Sequence, residues 1–383
     1  MNYSDEIRTG LAHVAELGDT MIEKVLHNVA EIRKQKVVPR VLKAQIARML
    51  DVSQTTIGNT TKALGIESKA RVGLELEEVR RVREHLKKPV TNTDRAAIWA
   101  VQTQKGGTGK TTTVVCLAHA LACQGAKVLL IDMDFQATAT TICGFLPDVR
   151  NKSVGGITAD ETSLAVLYGK STGEEGWPKD FKSVIKPSAF PLVDVIPNCP
   201  SAERLVFDIT GISDPVELRS QLLREVGEEY DFILIDSPPS LGFVSSVVTL
   251  TADAILVPTP PKVFDMASTI SYAKLLLSIH ELRNKEADGD SGFSCVRFLP
   301  TLVSPRLKLH QMMINDVYPA LFYIRPSGSF GITETVIYDL ADVQAAMSDF
   351  KTVFEISVRN KMATDQYENL ANEVITLTNK LLR

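Results

Sequence analysis

The sequence predicts an α/β fold, a mostly parallel sheet with helices on both faces, preceded by an all-α N-terminal region. Three observations predict it. From Ala96 onward, apolar runs at residues 97–101, 128–131, 192–196, 232–235, 254–257 and 296–299 alternate with helical stretches, the pattern of strands covered on both sides by crossover helices. The first of these runs passes directly into a glycine-rich loop and then a helix, in AIWAVQTQKGGTGKTTTVVCLAHAL. Ahead of them, Ile7, Leu11, Val14, Leu17, Met21, Val25 and Val29 recur at intervals of three or four, which is helical spacing.

Taken in order, residues 1–36 form a first unit, an amphipathic helix broken near Gly18. Its apolar stripe suits either internal packing or a second subunit, which makes it a candidate for dimerisation. Residues 37–95 form a second unit. A helix over 43–50 meets Asp51-Val52, and Ser53 is placed to cap a second helix running to about Leu64. Two short helices joined by a tight turn make a helix-turn-helix. Ala44, Ile46 and Ala47 face inward, Val52 fills the turn and Ile57 anchors the second helix. That leaves Ser53, Gln54, Thr55, Thr56, Asn59, Thr60 and Lys62 to reach base edges or phosphates. The alternative, a helical hairpin with no nucleic-acid role, stays open. EVRRVREHLKK then reads as a mixed-charge linker helix with a solvated face. Residues 96–383 form the third unit, in which 155–182 reads as a glycine-rich, mobile insertion.

Apolar content of 44% and charge of 23% are those of a soluble globular chain. Net charge is −4, but residues 1–95 carry 17 Lys/Arg against 13 Asp/Glu, and the remainder 25 against 33. A basic first quarter on an acidic body suggests an anionic partner for that quarter. The five cysteines lack C-x-x-C spacing, so buried thiols in a reducing compartment are expected rather than zinc or disulfides. The N-terminus has no signal pattern, and no apolar run reaches 18 residues. The expected location is cytoplasmic, with no membrane partner.

The chemistry concentrates in KGGTGKTT. Gly106, Gly107, Thr108 and Gly109 allow backbone N–H groups to wrap a phosphate chain. The helix opening at Lys110 adds its positive N-terminal end. Lys110 places an ammonium on the β- and γ-phosphates, Thr111 offers a hydroxyl to Mg²⁺, and Thr112 completes the loop. The usual first glycine of the motif is Gln104 here, and Lys105 stands beside it. Its distance from Lys110 precludes duplicating that residue's contacts.

Lys105 together with KGGTGKTT makes a deviant Walker A motif and resembles the ParA/MinD group of ATPases, so the expected fold is that of a deviant Walker A phosphate-loop NTPase. Two further segments are similar. Asp132-Met133-Asp134-Phe135-Gln136 resembles the family's D-x-D-P-Q, with Phe135 in place of proline. Asp236-Ser237-Pro238-Pro239-Ser240 resembles its Walker B element. The resemblance implies that Asp134 orients the attacking water, Asp132 supports the metal site and Asp236 binds Mg²⁺ through water. It also implies that Lys105 crosses a homodimer interface to the partner's nucleotide. Lys105, Lys110 and Asp134 are the implied catalytic residues, with ATP/ADP and Mg²⁺ as ligands.

Within the group, the nearest resemblance is to the larger ParA-type partition ATPases, which carry a helical region and a helix-turn-helix ahead of the ATPase. It implies operator binding with ADP, an ATP dimer on nucleoid DNA, and a centromere-binding ParB-type partner. Arg306, Lys308, Arg325, Lys351, Arg359 and Lys361 are candidates for contact with non-specific DNA phosphates. Three rivals share the motif. A MinD-like membrane ATPase needs a basic amphipathic tail, whereas residues 368–383 hold only Lys380 and Arg383 and read as a packed closing helix. An iron–sulfur reductase needs interfacial cysteine pairs. An ATP-regulated transcriptional repressor without a segregation role is separated by turnover.

Overall fold

The computed structural model describes residues 7–13, 17, 37–67, 72–209, 215–240, 242–286, 292–322, 328–357 and 360–382. Eight strands form one sheet. They are β1 (Ala97–Val101), β2 (Val128–Asp132), β3 (Lys186–Pro187), β4 (Val193–Ile196), β5 (Phe232–Asp236), β6 (Ala254–Thr259), β7 (Cys295–Pro300) and β8 (Phe330–Ile332). Their spatial order is β8-β7-β6-β1-β5-β2-β4-β3. Every pairing is parallel except β3 with β4. The central strands are buried on both faces, so the apolar runs locate them to within two residues. The two edge strands escape that signal. β8 is three residues long with Gly331 at its centre, and β3 is two residues ending in Pro187, the edge position proline tolerates.

Because side chains alternate along a strand, β1 feeds two cores. Trp99 and Val101 pack on one face with the phosphate-loop helix and the C-terminal helix, while Ile98 and Ala100 pack on the other. The C-terminal helix Met362–Leu381 buries Leu370, Ala371, Val374 and Leu377. The Trp99 indole donates to Thr378 Oγ1 at 3.0 Å, which satisfies the one polar atom of a fully buried ring. Residues 368–382 thus close the core, as their apolar spacing predicts. No helix among the described residues is long and apolar enough to cross a membrane. All five cysteines are buried thiols.

One expectation is corrected here and one is extended. Residues 155–182 are built rather than loose: helix Ser163–Thr172, capped by Thr162, buries Leu164, Ala165, Val166 and Leu167 in the second core. The mixed-charge segment is a helix that keeps Glu77, Arg81 and Glu84 on a solvated face, as expected, and buries the opposite face. The N-terminal helices are α1 (Lys43–Leu50), α2 (Gln54–Ala63) and α3 (Leu76–His85). Leu76, Val79 and Val82 of α3 have no exposed surface, and each such burial contributes about 1.5–3 kcal/mol. They join Ile46, Leu50 and Ile57 to the same core that holds the phosphate-loop helix. Most charges of α3 occupy its other faces, with Arg83 buried as the exception, which is why its composition reads as solvated.

Asp51, in left-handed backbone at φ 50°, ends α1. The Ser53 hydroxyl accepts from the Thr56 amide at 3.0 Å and caps α2, as its position predicts. Ile46, Ala47 and Ile57 are buried and Val52 packs partly against them; Ala44 is half-buried. Ser53, Gln54, Thr55, Asn59 and Lys62 are exposed. Thr60 is not: it is 5% exposed, on the inward face of α2. Ile7, Leu11 and Leu17 are helical and exposed. Val14, Met21, Val25 and Val29 lie outside the described residues.

Candidate functional site

Parallel pairing brings the carboxyl ends of β1, β2, β5, β6 and β7 to one edge of the sheet, the edge at which open α/β sheets bind ligands. There β1 runs into residues 102–109 and then α4 (Lys110–Cys123). Gly107 and Gly109 have φ of 71° and 85°, values an L side chain rarely adopts. Gly106 and Gly107 are exposed, and a Cβ on Gly107 would meet nothing within 4 Å. The loop at Gly107 therefore faces open space. Lys110 is 6% exposed; burial lowers its pKa, against the opposing pull of Asp236 and Asp134. Its ammonium rests on the Lys105 carbonyl at 3.2 Å. Thr111 and Thr112 are half-buried on the first turn of α4.

Two carboxylates meet this loop from adjacent strands, with Asp132 of β2 paired in register with Asp236 of β5. Both are fully buried, yet their surroundings differ. Asp132 accepts from Thr140 N at 2.9 Å, Thr140 Oγ1 at 2.7 Å and Asp134 N at 3.1 Å. Burial pushes it up to about 6, although these bonds favour its charged form. Asp236 has no hydrogen-bond partner on either oxygen among the described residues. Burial, then the charge of Asp132, hold it well above the usual carboxylate range, with Thr111 and Lys110 only partly offsetting them. A buried, unsatisfied carboxylate costs free energy unless something pairs with it. Beside the Thr111 hydroxyl, that is the chemistry of a hard divalent cation site, and the residues present fit Mg²⁺. Asp134 is half-buried and accepts from the Gln136 amide at 3.0 Å.

Sequence reasoning misses three residues here. The Lys105 ammonium is ion-paired with Asp265 of α5 (Val263–Glu286), whose side chain is 7% exposed. The Thr301 hydroxyl donates to the Thr108 carbonyl at 2.9 Å and fixes the loop from β7. Leu302, left-handed at φ 53°, lies where a Cβ on Gly109 would touch it at 4.0 Å. The positive φ of Leu302 and the 160-residue separation of Lys105 from Asp265 leave no local pattern to read.

Comparison with known proteins decides the family. A family model described as an AAA domain matches residues 96–288, just over half the chain. Protein SopA of Escherichia coli K12 is 27% identical over 309 residues, covering 78% of this chain and 74% of SopA. The chain belongs to the ParA family of partition ATPases. The sporulation initiation inhibitor protein Soj of Bacillus subtilis is 29% identical over 278 residues, covering 72% of this chain and 97% of Soj. A solved structure described as a partition protein superposes with a TM-score of 0.60 at 19% identity, over 97% of this chain and 98% of its own. That likeness is one of fold, and it spans nearly the whole of both chains.

The candidate DNA-phosphate contacts fare unevenly. Arg306 and Lys308 are exposed. Lys361 is exposed but pairs with Asp365 at 3.4 Å. Lys351 is 9% exposed, in the loop packed on α4, and offers no surface to a phosphate. Arg325 and Arg359 lie outside the described residues.

Proposed function

We propose that this ParA-type ATPase is a Mg²⁺-dependent dimeric switch. Backbone N–H groups of residues 106–112 bind the phosphates, and Lys110 leaves the Lys105 carbonyl to contact the β- and γ-oxygens. Thr111 and Asp236 hold Mg²⁺, which when bound neutralises charge on the transferring phosphoryl group. Asp132, spent on Thr140 and the loop, supports that site from behind. Asp134 orients the attacking water. Lys105 acts on the partner's nucleotide across a homodimer interface. The observation that carries this reading is Asp236: a buried carboxylate with two unpartnered oxygens beside a lysine, a threonine and an open glycine loop.

The same reading gives the chain three units: 1–36 for dimerisation, 37–95 as a helix-turn-helix with its connecting helix, and 96–383 as the ATPase. Exposed Ser53, Gln54, Thr55, Asn59 and Lys62 on α2 contact DNA, with Thr56 holding the cap that positions them. The ADP form binds an operator, the ATP dimer binds nucleoid DNA without sequence preference, and a ParB-type protein triggers release. Sedimentation of Lys105→Ala with ATP tests the core of this. The variant is expected to bind ATP as a monomer and fail to dimerise; a normal ATP dimer would remove the trans role of Lys105.

A further inference from the structure

The chain between β2 and β4, with the turn that follows β4, encloses a cavity of about 600 Å³, within the size range of small-molecule sites. No residue of the phosphate loop lines it, nor does Asp132, Asp134 or Asp236. Its walls are fixed by the fold. Trp177 is half-buried, and its ring meets that of Tyr168 at 4.6 Å with 55° between the planes. A Cβ on Gly169 would lie 2.9 Å from the Trp177 Cβ, so the helix Ser163–Thr172 abuts this residue with no space between them. The Asp148 carboxylate accepts from the Ser201 hydroxyl and, at 3.1 Å, from the Ser201 amide. That ties the loop after β2 to the turn after β4. Lys152 is ion-paired with Glu161 and donates to Thr158 Oγ1 at 3.1 Å.

These bonds consume part of the charge at the cavity and leave the rest. Asp148 and Lys152 are spent on the walls. Arg150 and Arg204 line the cavity and are exposed, with no partner among the described residues. Asp160 is a lining carboxylate in the same condition. Two unspent guanidiniums therefore stand with one unspent carboxylate beside an indole. A guanidinium forks onto phosphate oxygens. An indole stacks on any nucleobase through its π-face. A bare phosphate would leave the indole unused, and an uncharged aromatic would leave the guanidiniums unused.

We propose that this cavity is a second ligand site, separate from the phosphate loop, for a nucleoside monophosphate. The base stacks on Trp177, the phosphate lies on Arg150 and Arg204, and Asp160 accepts from N–H or O–H groups of the base or ribose. The two cations and one carboxylate suit a ligand carrying one or two negative charges. The site shares no residue with the proposed ATPase machinery, so it does not rest on that reading.

Tryptophan emission tests it. The chain has two tryptophans, and Trp99 has no exposed surface, so quenching by a stacked base reads Trp177. The probe is GMP, which has neither the adenine nor the terminal phosphates of the phosphate-loop ligand. Titrated into the full chain, GMP is expected to quench the emission saturably, and Trp177→Phe removes that signal. Calorimetry then gives the affinity. Arg150→Ala/Arg204→Ala should weaken GMP about tenfold or more, the effect of losing charge-assisted contacts. Its melting temperature should match the wild type, because neither side chain has a partner to lose. Lys110→Ala should bind GMP as the wild type does. Guanosine and inorganic phosphate, each half of the ligand, should both bind about tenfold or more weakly than GMP. No saturable quenching in the wild type, or unchanged affinity in the arginine double variant, overturns the site. Binding lost in Lys110→Ala and kept in the arginine variant would place GMP in the phosphate loop and overturn it equally. Inorganic phosphate binding as tightly as GMP would overturn the stacking on Trp177.

Discussion

Replacing Asp265 with asparagine is expected to tighten the ATP dimer. Asp265 neutralises Lys105, and the proposed trans role requires Lys105 to leave it and reach across an interface. The two ends of that ion pair are unequal: the lysine side chain is 39% exposed and the aspartate 7%. The departing ammonium rehydrates readily, while the carboxylate stays behind, buried and unpaired. Leaving a buried polar group without its partner costs about 1–3 kcal/mol. Halving that for the water that follows Lys105 outward gives about 0.5–1.5 kcal/mol per subunit. Both subunits contribute, so the dimer gains about 1–3 kcal/mol, or roughly 5- to 150-fold in affinity. Asp265 also lies in the first turn of α5, where losing its charge costs about 0.3–1 kcal/mol, but monomer and dimer share that loss and it cancels. Sedimentation velocity with Mg-ATP, as a function of protein concentration, reads the change. An Asp265→Asn dimer equal to or weaker than the wild type would refute the reasoning, because the ion pair would then impose no restraint on Lys105.

Asp236→Asn should abolish Mg²⁺-dependent phosphate release yet raise the melting temperature of the nucleotide-free protein. A carboxyl whose folded pKa is raised contributes stability that is complete below its unfolded pKa, near 4, and lost as pH rises through the folded value. The advantage of Asn should therefore be largest near pH 8 and shrink toward pH 5; melting curves without Mg²⁺ at both pH values show whether it does. Asp253 is 2% exposed and pairs with Arg95 and Arg219 while accepting from the Ile98 amide. Asp253→Ala should cost about 3–5 kcal/mol in urea unfolding, and a loss under about 1 kcal/mol would show that water replaces the carboxylate. Ser53→Ala removes the α2 cap and should cost about 1 kcal/mol, seen as faster amide exchange confined to 54–57; unchanged exchange there would mean the Ser53 bond contributes nothing.

The features legible in the sequence are those whose cause is local. β1, β2, β5 and β6 are buried on both faces, so each appears as an apolar run, and KGGTGKTT combines the special backbone and charges a phosphate loop needs within eight residues. Ser53 is legible because a cap acts three residues away. The partner of Lys105 is not, because Asp265 reaches it only through the β1–β6 pairing. Helix α3 misled for a related reason. Its Arg80 and Arg83 resemble solvent charges until Gln124, Gly125 and Asp231, 41 to 151 residues distant, close over them. Thr60 and Thr55 are chemically alike, and only the rotation of α2 decides which one meets solvent.

The position of β1 in the sheet also governs how the chain is made. β1 pairs with Phe232–Asp236 and with Ala254–Thr259, so the strand that launches the phosphate loop has neither neighbour until about 130 more residues have been synthesised. At roughly 5–20 residues per second that interval lasts about 7–26 s. Throughout it, α1, α2 and the apolar face of α3 have no closed sheet behind their partner helix to complete the shared core, and Asp236 does not yet exist. The nascent chain therefore cannot assemble its nucleotide site piecemeal. Its N-terminal quarter waits, exposed, for the middle of the sheet to close, and chaperone demand should concentrate in that window.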